Sequence, residues 1–352
     1  MNATRFQAIT ARYPHLRIAL VGDVCLDRYL EIDPAKQEIS IETGLPVHNV
    51  VRVRSQPGAA GTILNNLVAL GIGTIYPVSF CGEDGEGFEL RRALEMKAGV
   101  RLDYFLQAAD RRTFTYCKPL VMEPGRPPRE LSRLDSKNWT PTPAALQDRL
   151  IAIVRALTGR VDAIILMDQV DTPETGVVTA RLLDAVRDLA HARPSLFIIA
   201  DSRRSLRGFP PVCFKMNAAE LAAFTGTPHV LTLEEIQFHA AQLARTNGRP
   251  VFVSLAERGL LGASPDGAVE HQPALPVRGE IDIVGAGDAV TANLTAAMAA
   301  GATLGEALTL ANAAASVVIH QLGTTGTASV RQIAELMGGL EARPHVGPRT
   351  AS

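Results

Sequence analysis

The run "EIDIVGAGDAV" brings Gly285, Ala286, Gly287 and Asp288 to the start of an alanine-rich helical stretch. A glycine-rich turn entering a helix presents unpaired N–H groups and the positive end of the helix dipole, which together make an anion site. Glycines at 285 and 287 let the backbone come close to a phosphate. An acid in the first helical turn then stands where it can take the proton from an attacking hydroxyl. Phosphoryl transfer needs that combination, because its catalysis rests on positioning and charge stabilisation. The same residues also fit a tight turn with Asp288 as a helix cap, and the run alone leaves both readings open.

Other phosphate chemistries lack their residues. No G-x-x-x-x-G-K-[ST] loop occurs, no H-R-D set, and no G-x-G-x-x-G after the first apolar run. The histidines form no metal-ligand spacing. The four cysteines, Cys25, Cys81, Cys117 and Cys213, are scattered and read as buried free thiols of a reducing compartment. The basic run "SRRSLRG" after Asp201 reads as a solvated loop, although it could also steer a phosphorylated substrate.

The elements that must position Asp288 follow from the pattern of apolar runs. "RIALVGD" reads as a buried parallel strand. Further strands are expected at "TIYPVSFCG", "VDAIILM", "SLFIIA", "CFKMN", "PVFVSLA" and "LLGAS". Helices are expected at 62–71, after "TIYPVSFCG", near 143–157 and near 173–190. Strands alternating with helices predict a mainly parallel, doubly wound sheet in a three-layer αβα arrangement, with ligands beyond the carboxyl ends of the strands. Two stretches break the rhythm, about 28–54 and 101–134, with short strand-like pieces separated by turns. These predict a small β-sheet lid on the main body. One domain is expected over 1–337, followed by a frayed polar tail at 338–352.

Composition narrows the partners. In 352 residues, 35 Lys+Arg stand against 36 Asp+Glu, so no global field draws nucleic acid or anionic lipid. The N-terminus lacks a signal-peptide apolar core. The alanine-rich region 290–319 is broken by Asn293, Gly301, Gly305, Glu306 and Asn312, which fits two packed helices rather than a membrane span. The expectation is a cytoplasmic protein acting on a small molecule.

Several motifs in order extend the opening run. "DIVGAGDAV" with "TANLTAAMAAG" resembles the C-terminal signature of the ribokinase (PfkB-type) carbohydrate kinase family. "LVGDVCLDRYL", "QPGAAGTILNNLVALG", "SRLD", "KMNAAELAAFTG", "VSLAERGLLG" and "TLANAAASVVIHQLGTTG" are similar to its other landmarks, in the family's order, over about 17–330. Within the family the chain is most similar to kinases that act on the anomeric hydroxyl of heptose 7-phosphate.

The resemblance implies a ribokinase-like fold, ATP with magnesium, and a sugar or sugar-phosphate acceptor. It makes Asp288 the general base and the backbone of Gly285, Ala286 and Gly287 the anion hole. Asp27, Gly58, Thr62 and Asp168 fall at acceptor-binding positions. Asn217, Ser254, Leu255, Gly259 and Asn312 fall at nucleotide-binding positions. Asn217 and Glu220 match a pair that organises magnesium through water, and Asp282 and Gly323 match a monovalent-cation (potassium) site of many members. A homodimer through the lid fits the open edges of its sheet.

The chain departs from the family at the acceptor side. Ala59 stands at a usual glycine and Thr62 near a usual asparagine. "MDQVDTPETG" keeps Asp168 but lacks the lysine of an acid-Tyr-Gly-Lys-Gly run, and Ala256 replaces a common glycine near the nucleotide. Two rival readings remain on sequence alone: a nucleoside kinase of the same fold, separable by an acceptor screen, and a sugar-binding regulatory protein without turnover. Retention of Asp288, Gly285, Gly287, Asn217 and Glu220 argues against the second.

Overall fold

The computed structural model describes residues 1–323 and 325–341. Its centre is a nine-stranded sheet. Arg17–Gly22 lies inside it, flanked in parallel by Ala163–Asp168 and Thr74–Gly82. Phe197–Ser202, Cys213–Asn217 and Val251–Ser254 continue the parallel order on one side. Leu260–Ala263 and Val269–Gln272 then close that side in antiparallel pairing. Ala163–Asp168 is buried along its whole length, as a strand covered on both faces by helices must be.

The two faces carry separate apolar clusters. On one, helices Ala60–Ala69, Ala286–Ala299 and Leu304–Val318 pack through Ile63, Leu64, Leu67, Leu294 and Leu308. Ala144–Leu157, Ala180–Ala192 and Leu233–Asn247 cover the other through Leu150, Leu182, Val186 and Ile236. The expected three-layer α/β architecture is therefore present. The alanine-rich region forms the two expected packed helices, and among the described residues no helix is long and apolar enough to cross a membrane.

A smaller sheet projects from this body, in the order Leu134–Ser136, Thr115–Val121, Val24–Ile32, Val50–Ala59, with Arg129–Glu130 also paired to Thr115–Val121. It starts directly after Arg17–Gly22, so a single passage of chain carries the body into the small sheet.

Several boundaries differ from expectation. Phe105–Ala108 pairs in parallel with Thr74–Gly82 and completes the large sheet, so the lid does not begin at 101. Buried Phe105 and Leu106 follow a crossover helix, Gly85–Glu95, and continue the body's strand–helix–strand rhythm. The helix expected from 173 starts at Ala180, because Glu174 turns to φ 65 and the Thr179 side chain caps at the Leu182 amide. Val330–Glu341 is helical, which removes 338–341 from the expected tail; 342–352 lie outside the described residues. The helix Ala3–Thr10 and the strand Val269–Gln272 had no expectation attached.

Candidate active site

Asp288 stands in the first turn of the Ala286–Ala299 helix, whose N-cap is Gly285 at φ 83. A Cβ at Gly285 would lie 2.7 Å from Thr325 Cγ2, so backbone angle and space both call for glycine. No side chain caps this helix, which leaves its first turn open to an anion. One expected donor is already engaged: the Ala286 amide donates to the Ile283 carbonyl at 3.2 Å.

Gly285 and Asp288 open onto a cavity of about 300 Å³ between the body and the small sheet. Asp27 and Thr62 line the same cavity, as does Ala59, so two of the four expected acceptor positions meet Asp288's glycine turn in one place. Asp27 is buried, and burial raises its pKa against the pull of Lys118 and Arg133. Gly58 makes room for it, since a Cβ there would lie 2.6 Å from the Asp27 carboxyl carbon.

Burial pushes the Asp288 carboxyl up to about 7; Lys215 pulls it down, and Asp201 and Asp27 push it further up. A carboxylate of that basicity is suited to accept a proton near neutral pH.

Lys215 was not singled out by the sequence reading. It lies in the Cys213–Asn217 strand with its ammonium 2.8 Å from Asp201 Oδ2, both side chains nearly buried. Thr291 Oγ1, one helical turn beyond Gly287, donates to the same Asp201 oxygen at 3.1 Å. A Cβ on Gly287 would sit 3.2 Å from Lys215 Nζ, so the lysine lies directly beneath the glycine turn. The sequence signal was a lysine inside the otherwise buried strand "CFKMN", because a fully buried lysine is rare without a partner.

Four further cations line the cavity: Lys118, Arg133, Lys137 and Arg203. Arg133 is paired with Asp135 at 2.8 Å and Lys137 with Asp171 at 2.7 Å. Lys118 has no acid partner among the described residues; its ammonium lies 5.0 Å from the Tyr29 ring centroid. Arg203 comes from the basic run read as a solvated loop. The run is a largely exposed loop, as expected; Arg203 also lines the cavity, and Arg204 donates to Asp168 Oδ2 at 2.8 Å.

Asp168 itself is fully buried, held by Ser202 Oγ and Arg204, and does not line the cavity; its neighbours Gln169 and Asp171 do. Asn217 and Glu220 form a reciprocal capping box at the start of Ala218–Thr225, which leaves Glu220 Oε1 unengaged. Asn217 pairs in register with Ser254 at the carboxyl ends of adjacent strands. Leu255 is buried, Gly259 turns at φ 93, and Asn312 is buried with its amide donating to the Pro273 carbonyl at 2.7 Å. Asp282 Oδ1 accepts from the Val284 amide at 3.0 Å, and Gly323 is exposed at φ 68. Among the described residues no group of three or more His, Cys, Asp and Glu could hold a metal by itself. The four cysteines are buried and free.

Both alanines that replace usual glycines carry positive φ, Ala59 at 54 and Ala256 at 52. Ala59 combines this with ψ −121, outside the left-handed helical well. Such strain costs about 1–3 kcal/mol per residue, against a smaller unfolded-state entropy term that favours alanine. Ala59→Gly and Ala256→Gly are each expected to raise unfolding free energy by about 1 kcal/mol in urea melts. Unchanged or lowered midpoints would show that the strain is not there.

The family model described as pfkB family carbohydrate kinase matches residues 206–331. "Bifunctional protein HldE" of Gluconacetobacter diazotrophicus is 30% identical over 94% of this chain and 65% of that protein. The protein of the same name from Azorhizobium caulinodans is 33% identical over 92% and 64%. The chain thus spans slightly less than two thirds of the length of these relatives. Among solved structures, Arabidopsis thaliana ribokinase complexed with ribose and ATP is similar with a TM-score of 0.66 at 21% identity, covering 92% of this chain and 98% of that one. Escherichia coli phosphofructokinase-2 in complex with substrates and products gives 0.69 at 17% identity, covering 93% and 99%.

Proposed function

We propose that the chain is a carbohydrate kinase of the pfkB kind that transfers the γ-phosphoryl group of ATP to a hydroxyl of a phosphorylated sugar of the heptose 7-phosphate kind, a reading supported by the match of residues 206–331 to that family's model and by the likeness to the two HldE relatives. The observation that carries this reading is the shared cavity: Asp288, with its carboxyl near 7, faces Asp27 there among four basic side chains.

Asp27 accepts hydrogen bonds from acceptor hydroxyls and orients the one that reacts. Asp288 takes that hydroxyl's proton as the oxygen attacks phosphorus. The first-turn amides at Gly287 and Asp288, with Lys215 beneath them, stabilise the charge on the transferring group. Glu220, through its free Oε1, and Asn217 are of the right donor type to hold magnesium by way of its water shell, as this ion prefers. Bound there, magnesium would neutralise the phosphate charge of ATP. Asn217, Ser254, Leu255, Gly259 and Asn312 form the nucleotide side, and the small sheet is the lid that excludes water from the cavity.

The acceptor's own phosphate is met by Lys118 and Arg203, the cavity cations with the weakest acidic partners. They stand in for the lysine missing from "MDQVDTPETG". The test compares kcat/KM for a sugar phosphate with that for the same sugar without phosphate. A preference of about 10²-fold or more is expected from one charge-assisted contact pair, and it should shrink about tenfold or more in Lys118→Met. Equal kcat/KM for the two acceptors would refute the sugar-phosphate reading and leave a free sugar or a nucleoside as acceptor.

A further inference from the structure

The Asp23 carboxylate lies at the point where the body gives way to the lid, and nothing in the proposed chemistry uses it. It follows Arg17–Gly22 directly and is 1% exposed. Oδ1 accepts from the Val177 amide at 2.7 Å and Oδ2 from the Gln169 amide at 3.0 Å; burial pushes this carboxyl up to about 6, and these bonds offset part of that rise. Both donors belong to one loop, 169–177, which joins Ala163–Asp168 to the next helix. Asp23's own carbonyl accepts from the Ala60 amide at 3.1 Å, at the first residue of the Ala60–Ala69 helix that also carries Thr62.

The loop is shaped to receive this side chain. A Cβ at Gly176 would drive into the Asp23 carboxylate. On its outer side the loop is held by buried Arg111, which donates to the Thr175 carbonyl at 2.7 Å, and by Thr142 Oγ1, which donates to the Gly176 carbonyl at 2.7 Å. The cavity-facing part of the same loop is Gln169 and Asp171.

We infer that Asp23 is a positioning residue for acceptor specificity: its buried carboxylate clamps the 169–177 loop so that Gln169 and Asp171 form a fixed wall of the acceptor cavity. The inference rests on the acceptor site being where the proposed function puts it. Among the described residues no hydrogen bond or ion pair joins the Asp23 carboxylate to the nucleotide side, on Cys213–Asn217 and beyond. Loss of the clamp therefore acts on acceptor binding and not on ATP binding. Asparagine at 23 keeps the shape but turns an NH₂ donor toward one of the loop's N–H groups, so one contact becomes a clash of donors.

The test uses the full chain with Asp23→Asn and, independently from the loop side, Gly176→Ala. Each should raise the acceptor KM by about tenfold or more while the ATP KM stays within about twofold. Each should also speed amide hydrogen exchange across 169–177 and leave 251–263 unchanged. Two results overturn the inference: equal rises in both KM values, or exchange in 169–177 that matches wild type. Exchange can be read without turnover, so a wild-type chain that phosphorylates no acceptor would overturn the proposed function while the exchange result still decides the clamp.

Discussion

Asp288→Asn is expected to lower turnover by about 10²–10⁴-fold with ATP affinity unchanged, because it removes the proton acceptor and little else. The side chain keeps its shape at the mouth of the helix, so the anion site and Gly285 turn remain. For wild type, kcat/KM should fall about tenfold per pH unit below about 7, as the base becomes protonated. The stability effect runs the other way. Asp288's carboxyl is raised from 3.8 to about 7 by folding, so its ionisation opposes the folded state, an effect absent below 3.8, growing between 3.8 and 7, and constant above. Asp288→Asn should therefore melt at a higher temperature than wild type at pH 8, with the gap closing as the pH falls. An inactive variant that is also less stable at pH 8 would contradict this electrostatic account of the site.

Lys215→Met is the second large effect and separates structure from chemistry. Asp201 would keep only Thr291's hydroxyl, leaving a nearly buried charge without its cation. Removing one partner of a buried pair destabilises by about 3–5 kcal/mol, and losing a charge beside the transferring group lowers kcat by about 10²–10³-fold. A Lys215→Met/Asp201→Leu double variant should recover most of the stability, since an apolar replacement of a buried pair is often neutral. Its turnover should stay low. Recovery of both together would make Lys215 a structural residue. Because Lys215 also pulls Asp288 down, the acid limb of the pH profile should move to higher pH in Lys215→Met.

The large sheet was legible because its strands are buried on both faces and read as unbroken apolar runs, "RIALVG" and "AIILMD" above all. Phe105–Ala108 was assigned to the wrong sheet because four residues carry no signal of which neighbour they pair with. The glycine turn was visible as a local pattern, Asp27 and Thr62 were implied by the resemblance to the family, and all three line one cavity. What could not be read locally was whatever depends on distant pairing. Lys215 and Asp201 meet across two adjacent strands, Arg203 reaches the cavity from a loop with an ordinary basic composition, and Asp23's partners lie some 150 residues away. Asp168 shows the reverse: the resemblance to the family implied a ligand-binding role, yet Ser202 and Arg204 hold it inside the body.

The most direct measurement is ³¹P NMR of a mixture of the protein, ATP, magnesium and a sugar phosphate such as heptose 7-phosphate. The account predicts ADP together with a new phosphate ester on the sugar in equal amount, and neither with Asp288→Asn over the same time. ADP accompanied only by inorganic phosphate, or bound ATP that stays intact across sugars, sugar phosphates and nucleosides, would contradict it.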